Sequence, residues 1–188
     1  MKALLEDLTD FNRIKLGLGI AIQREPINLA EVLLSEVDQM QAAYPSRRLE
    51  FMVAGDVCGA WDGNRLRQVL SNLITNAVRY GYDGTTIQVA VTGKASEVLL
   101  EVRNQGDPID PATFDLMFDP LRRGEKAAHD AARGLGLGLY ISREIARAHD
   151  GSIDASSDAG GTVFRVSLPR YAALAGSPRD HVVGQLMA

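Results

Sequence analysis

A chain of 188 residues with 46% hydrophobic content is long enough for one well-packed domain plus a short appendage. Its net charge of −4, with no dense Lys/Arg run, lacks the electrostatic footprint of a nucleic-acid binder, so nucleic acid is not expected as a partner. The one cysteine, Cys58, permits no internal disulfide and suits a reducing cytosol. No metal-binding Cys/His spacing, signal peptide or membrane-length apolar stretch appears. A cytoplasmic location is expected for this chain, which leaves open a parent protein attached to a membrane.

Along the chain, Leu4, Leu5, Leu8, Phe11, Ile14, Leu16 and Leu18 recur mostly at helical spacing and predict a first helix from Met1 to about Ile20. Leu29 to about Ala43 reads as a second helix, and Leu49–Val53 as a strand. Asp62 is a fitting cap for the next helix, where Leu66, Val69, Leu70, Leu73, Ala77 and Val78 form an apolar stripe. Gly81 fits that helix's end. Asn72 and Asn76 stand four apart, on one face, and Arg79 and Tyr80 continue it. Asparagine is a mediocre helix former, so two on one face need partners: water or something bound. An amide oxygen such as that of Asn76 suits Mg²⁺, which takes hard oxygen ligands and is often shared with phosphates. Arg79 has the chemistry to meet phosphate and Tyr80 to stack on a base.

Thr85–Thr92 and Glu97–Asn104 alternate apolar and polar residues, as a strand pair joined near Gly93 would. Pro111–Met117 reads as a short helix and residues 119–133 as a lid-like loop. Arg133-Gly134-Leu135-Gly136-Leu137-Gly138-Leu139 is a glycine-rich turn running into a helix from about Leu137 to Ala148. Its alternate glycines allow close approach of a phosphate chain, and the helix start offers free N–H groups. The pattern matches neither G-x-G-x-x-G nor Walker A. Strands near Ser152–Ser156 and Thr162–Leu168 close the pattern at Pro169. Together these elements predict an α/β (α+β) two-layer sandwich: a mixed sheet with helices on one side.

In this order the segments resemble the ATP-binding catalytic domain of bacterial sensor histidine kinases, in the superfamily that includes gyrase and the mismatch-repair ATPases. The helix bearing Asn72 and Asn76 resembles the family's N box, Val102–Ile109 its G1 box, Phe114–Gly124 its F box and lid start, and Gly134–Leu139 its G2 box. His149–Ile153 and Gly160–Phe164 resemble the closing strands. The likeness runs from about Pro26 to Pro169. Leu4–Ile14 is similar to the end of the second helix of the kinase dimerisation domain. The resemblance divides the chain into a dimerisation-helix remnant (residues 1–22), a catalytic domain (23–170) of Bergerat-type fold, and a tail (171–188).

The resemblance implies ATP and Mg²⁺ as cofactors, with Asn76 as metal ligand and Asn72 supporting the phosphate end. Arg79 would contact phosphate and Tyr80 would stack on or near adenine. Asn104 would read the adenine amino group, with Gly106 and Ile109 beside the base and Thr162 helping through water. Gly134, Leu135, Gly136, Leu137, Gly138 and Leu139 would wrap the phosphates, and Arg123 would neutralise charge on the γ-phosphoryl, making Asn72, Asn76 and Arg123 the catalytic set.

Three departures from the family matter. His129, His149 and His181 all lack the phosphoacceptor context, so this chain is expected to act on a histidine elsewhere, in a longer parent kinase or another chain. Asn104 replaces the usual adenine-binding Asp, and Pro108 replaces a glycine. Asn72 stands where related hydrolases carry a water-activating glutamate, and an amide is no general base. The expected activity is therefore transfer of the ATP γ-phosphoryl to a histidine, with a phosphoacceptor domain and a response regulator as partners. The alternatives are a degenerate docking module, motivated by Asn104 and Pro108, and a serine kinase of the anti-sigma type. Pairing of two chains through Leu4, Leu8 and Phe11 stays open beside a monomer.

Overall fold

The computed structural model describes residues 2–110, 113–121 and 136–170. In chain order these form α1 (Lys2–Lys15), β1 (Glu25–Asn28), α2 (Leu29–Ala43), β2 (Arg48–Ala54), β3 (Cys58–Trp61), α3 (Gly63–Tyr80), β4 (Thr86–Gly93), β5 (Glu97–Asn104), α4 (Phe114–Met117), α5 (Gly138–Ala148), β6 (Ser152–Asp158) and β7 (Gly161–Pro169).

Five strands form one sheet in the order β2-β4-β5-β7-β6. β2 runs parallel to β4, and every other pair is antiparallel, so the sheet is mixed as expected. The period-two alternation decides its faces. Ile87, Val89 and Val91 of β4, Val98, Leu100 and Val102 of β5, and Phe164, Val166 and Leu168 of β7 are buried on one side. Between them, Glu101 and Arg165 pair across the other side at 2.7 Å. The apolar face is covered by α2, α3 and α5, whose buried rows include Leu29, Leu33 and Val37, then Leu66, Leu70 and Leu73, then Ile141 and Ile145. The result is the two-layer sandwich the alternation predicts.

A second sheet, β1 paired antiparallel with β3, was not anticipated. Each strand has only four residues and one contains Pro26, too short for alternation to register. Trp61 explains its place: the ring is fully buried and its Nε1 donates to the Pro169 carbonyl at 2.9 Å. Gly59 is forced by that ring, since a Cβ there would lie 2.2 Å from it.

The first helix ends at Lys15, earlier than predicted. Gly17 and Gly19 have φ of +75° and +61°, a left-handed exit available to glycine. Leu16 and Leu18 therefore lie beyond the helix and are exposed. The α1 helix packs on α3 and α5. Asp10, 3% exposed, accepts from Arg65 Nη1 at 2.6 Å and Nη2 at 3.0 Å. Phe11, expected among residues that could pair two chains, meets Tyr140 of α5 edge-on, with ring centroids 6.0 Å apart. Leu8 remains exposed, and the Leu4 side chain lies outside those described.

His149 ties the layers together. Fully buried, its Nδ1 is 2.8 Å from the Ile145 carbonyl and its Nε2 accepts the Asp62 backbone N–H at 3.0 Å. With Nδ1 donating and Nε2 accepting, the ring is neutral. Asp62 in turn caps α3 through Asn64 N and Arg65 N, and accepts the Gln23 N–H at 2.8 Å. Burial holds the imidazole below its ordinary value of 6.5. Because the folded pKa is depressed, the unfolded chain takes up the proton first. Stability is thus full above about pH 6.5 and declines as pH falls from there toward the folded value. Urea unfolding midpoints between pH 8 and 5.5 are expected to drop on the acid side. In His149→Ala that acid slope is expected to flatten, with an overall loss of about 1–3 kcal/mol for the unpaired Asp62 N–H.

Candidate functional site

The α3 helix buries Leu66, Val69, Leu70, Leu73, Ile74 and Ala77 and so fixes where its remaining positions point. Asn72 and Asn76 are half-buried beside that stripe. The Asn72 Nδ2 donates to the Gly138 carbonyl at 3.1 Å and reaches the Ser142 hydroxyl at 3.3 Å. Its amide is therefore already in use as a brace between α3 and the first turn of α5. The Asn76 side chain makes no hydrogen bond to a described residue, which leaves its hard amide oxygen available. The Arg79 guanidinium lies 5.5 Å from the Tyr80 ring centroid, and Tyr80 is 37% exposed.

Opposite Asn72, α5 begins without a side-chain cap, whereas Asn28 and Asp62 cap α2 and α3. Its first N–H groups have no intrahelical partner and carry the positive end of the helix dipole. Gly136, with φ of +70°, turns the chain into this helix, and its carbonyl accepts from Leu121 N at 3.2 Å. Gly138 admits Asn72: a Cβ would sit 3.2 Å from the asparagine Cγ and 3.3 Å from its Oδ1. Ser142, fully buried, donates to the Gly138 carbonyl at 2.8 Å, completing a three-membered polar knot. Leu137 is 1% exposed and part of the core, so only its backbone could face a ligand. Leu139 is half-buried against the same core.

The other end of α3 meets the end of β5. Gly81 forms an isolated antiparallel bridge with Gly106, and Tyr82 N donates to the Gln105 carbonyl at 2.8 Å. Both glycines are steric necessities. A Cβ on Gly81 would lie 2.5 Å from the Ala77 carbonyl oxygen, and one on Gly106 would lie 2.7 Å from that of Tyr80. Gly81 ends α3 as expected, yet at φ of −76°. Crowding rather than left-handed backbone selects glycine there. Beneath them sits Asn104, 3% exposed, its Nδ2 only loosely donating to the Gln105 carbonyl at 3.4 Å. Thr162, its register partner on β7, is 4% exposed and lies 3.1 Å from the Ser157 hydroxyl, which also accepts from Ile109 N at 3.1 Å.

The structure thus brings Asn72, Gly136 and Gly138 together at the middle of α3, and Tyr80, Asn104, Gly106, Ile109 and Thr162 together at its end. Eight residues separate Asn72 from Tyr80, about 12 Å of helix, a distance on the scale of a nucleotide. Arg123, Gly134 and Leu135, with Arg122, His129, Arg133 and His181, lie outside the described residues. Sequence reasoning missed Ser142 and Ser157. The only trace of Ser142 was its i+4 offset from Gly138 on the inner face of α5, and Ser157 carried no trace, because its partners come from other elements.

An α/β sandwich with an uncapped helix start facing an asparagine-bearing helix has the design of a nucleotide-binding domain. Comparison with known proteins is specific. The model of the histidine kinase-, DNA gyrase B- and HSP90-like ATPase family matches residues 61–172. The bacteriophytochrome of Pseudomonas aeruginosa is 30% identical over 94% of this chain and 24% of its own length. Sensor histidine kinase CusS of Escherichia coli is 36% identical over 78% and 31%, and sensor protein CutS of Streptomyces coelicolor 35% identical over 79% and 36%. The chain spans about a quarter to a third of these relatives. The catalytic domain of histidine kinase ThkA superimposes with a TM-score of 0.68 at 25% identity, covering 79% of this chain and 97% of that one. Full-length ShkA in complex with AMPPNP gives 0.74 at 22% identity, over 89% and 35%, a likeness of fold.

The chain belongs to the histidine kinase-, DNA gyrase B- and HSP90-like ATPase family. Within it, the chain is an ATP-binding catalytic domain of the sensor histidine kinase type.

Gly138→Ala tests the knot between α3 and α5. Alanine favours the helix by up to ~1 kcal/mol, while its methyl displaces Asn72. The expected result is a melting temperature changed by only a few degrees with clearly weakened nucleotide affinity, measured by calorimetric titration.

Proposed function

We propose that this domain binds Mg²⁺·ATP along α3 and donates the γ-phosphoryl group to a histidine outside this domain. One observation carries the reading: α3 is braced at its middle, by Asn72 on the uncapped start of α5, and at its end, by the Gly81–Gly106 bridge over Asn104. The first brace suits phosphates and the second an adenine ring.

Asn76 fits a magnesium ion, being a half-buried hard oxygen donor on the face shared with Asn72, and one or two such ligands are the usual protein share of a phosphate-bound Mg²⁺. When bound, the ion would neutralise charge on the transferring phosphoryl. The chain's own residues position the nucleotide: Asn72 and Ser142 set α5 against α3, the first amides of α5 meet phosphate oxygens, and Asn104 meets the adenine edge. Arg79 and Arg123 are proposed as phosphate contacts, Tyr80 as a face for the base, and Gly134, Leu135, Gly136, Leu137, Gly138 and Leu139 as the backbone wrap, with Leu137 acting through its main chain. Catalysis then rests on alignment and charge neutralisation.

His149 supports an external phosphoacceptor, because it is fully buried with both ring nitrogens engaged. The absence of a carboxylate base at Asn72 favours transfer over hydrolysis. Asn104 and Pro108 do not favour a degenerate docking module: Asn104 keeps an acceptor and a donor for adenine, and Ile109 N is held by Ser157 despite the neighbouring proline. A response regulator as downstream partner and a soluble site of action follow from the same reading. No helix among the described residues is long and apolar enough to cross a membrane.

Calorimetric titration with AMPPNP and Mg²⁺ tests this directly. Saturable binding is expected, weakened about tenfold or more in Asn76→Ala, with the loss confined to titrations containing the metal. Addition of a histidine-bearing dimerisation domain and ATP is then expected to give acid-labile phosphate on that domain. Absence of binding to the folded chain at millimolar analogue contradicts the reading.

A further inference from the structure

We propose that Arg47, on the turn between α2 and β2 and remote from both asparagines in sequence, is the positioning residue for the adenine end of the nucleotide site. This rests on the nucleotide-binding reading above. The Arg47 side chain is 10% exposed. Its Nη1 donates to the Tyr82 carbonyl at 2.7 Å, and its Nη2 to the carbonyls of Val78 at 2.7 Å and Gly81 at 3.4 Å. These oxygens belong to the last turn of α3 and the segment leaving it, where carbonyls lack intrahelical partners and carry the negative end of the dipole. One planar guanidinium thereby gathers three carbonyls, those of Val78, Gly81 and Tyr82, the last of which also accepts from the Thr85 hydroxyl at 2.7 Å.

The backbone that carries this guanidinium is itself held. Arg47 N donates to the Tyr44 carbonyl at 3.0 Å. Gln41 Nε2 donates to the Arg47 carbonyl at 2.7 Å, and Gln41 Oε1 accepts from Leu49 N at 3.0 Å. Asp83, fully exposed, pairs with Arg47 Nη2 at 2.8 Å.

The turn that Arg47 clamps carries the contacts that close the base end. Gly81 bridges to Gly106, Tyr82 N donates to Gln105, and the Tyr82 hydroxyl donates to Asp107 Oδ1 at 2.8 Å. Gly81 and Gly106 lie directly over the Asn104 amide. Arg47 thus sets the spacing between α3 and the Asn104–Asp107 segment without touching the nucleotide. The phosphate end, built from Asn72, Gly138 and Ser142, uses none of these bonds. Arg47 should therefore matter more for the base than for the phosphates, whose proposed contacts lie off the clamped turn except for Arg79.

The experiment compares the full chain with Arg47→Ala, Arg47→Lys and Asp83→Asn, at a temperature well below each melting point. Calorimetry with AMPPNP, ADP and inorganic triphosphate is combined with amide exchange at Tyr82. Arg47→Ala is expected to bind both nucleotides about tenfold more weakly, with a much smaller change for triphosphate and faster exchange at Tyr82. Arg47→Lys, which keeps the charge with fewer aligned donors, should recover part of the loss, and Asp83→Asn should match the parent. Arg47→Lys carries the test alone if the alanine chain does not fold. Equal loss for nucleotides and triphosphate, or unchanged nucleotide affinity in the folded variants, overturns the assignment of Arg47 while leaving the nucleotide site standing. Failure of the parent chain to bind any nucleotide removes the site and the inference together.

Discussion

Everything at the site depends on how α3 is seated. Six of its side chains, from Leu66 to Ala77, are fully buried, and α3 packs on α2, α5 and the strands β4 and β5. At roughly 1.5–3 kcal/mol for each large aliphatic side chain removed from water, this burial far exceeds any single polar contact around it. The helix therefore has one rotational setting. In that setting Asn72 faces the start of α5, Asn76 follows one turn later, and the last turn arrives over Asn104.

Polar contacts then convert that packing into a defined site. His149 and Asp62 lock the start of α3 to the end of α5. Asn72 and Ser142 lock the middle of α3 to the start of α5. Arg47 and the Gly81–Gly106 bridge lock its end to β5. All three are largely shielded from water, where an unmade bond is costly, so each selects one arrangement among those that hydrophobic packing alone would tolerate. The amides at the start of α5 lack the side-chain cap that α2 and α3 have, and they face the same α3 helix.

The N-terminal helix adds a layer that spacing alone did not foresee. Its apolar positions read equally well as a pairing surface or as a packing surface. Asp10 fixes the packing of one face on α3, because a nearly buried carboxylate needs a fixed cation, and Arg65 supplies it with two bonds, while Leu5 and Leu8 stay exposed. Asp7 nearby has its carboxyl pushed up, first by burial and also by the neighbouring Asp10. The middle of this helix is thus an electrostatically tight junction on the first turn of α3, apart from the contacts proposed for phosphate and base.

The sequence by itself determined the layers and pointed to the residues proposed for the site. Alternation in β4 and β5 reports a half-buried sheet, the stripe in α3 reports its buried face, and the paired asparagines and spaced glycines report polar groups and close approaches that packing does not need. Such signals are local, set by period two, by 3.6 residues per turn, or by backbone crowding that excludes a side chain. Only the tertiary structure decided what required partners distant along the chain: the pairing of β1 with β3 around Trp61, the neutral His149 between two helices, Ser142 and Ser157 as supports, and Arg47 on the carbonyls that end α3. These contacts join residues 30 to 108 positions apart, where sequence spacing carries no period, and an arginine destined for a helix end looks the same in sequence as one left in solvent.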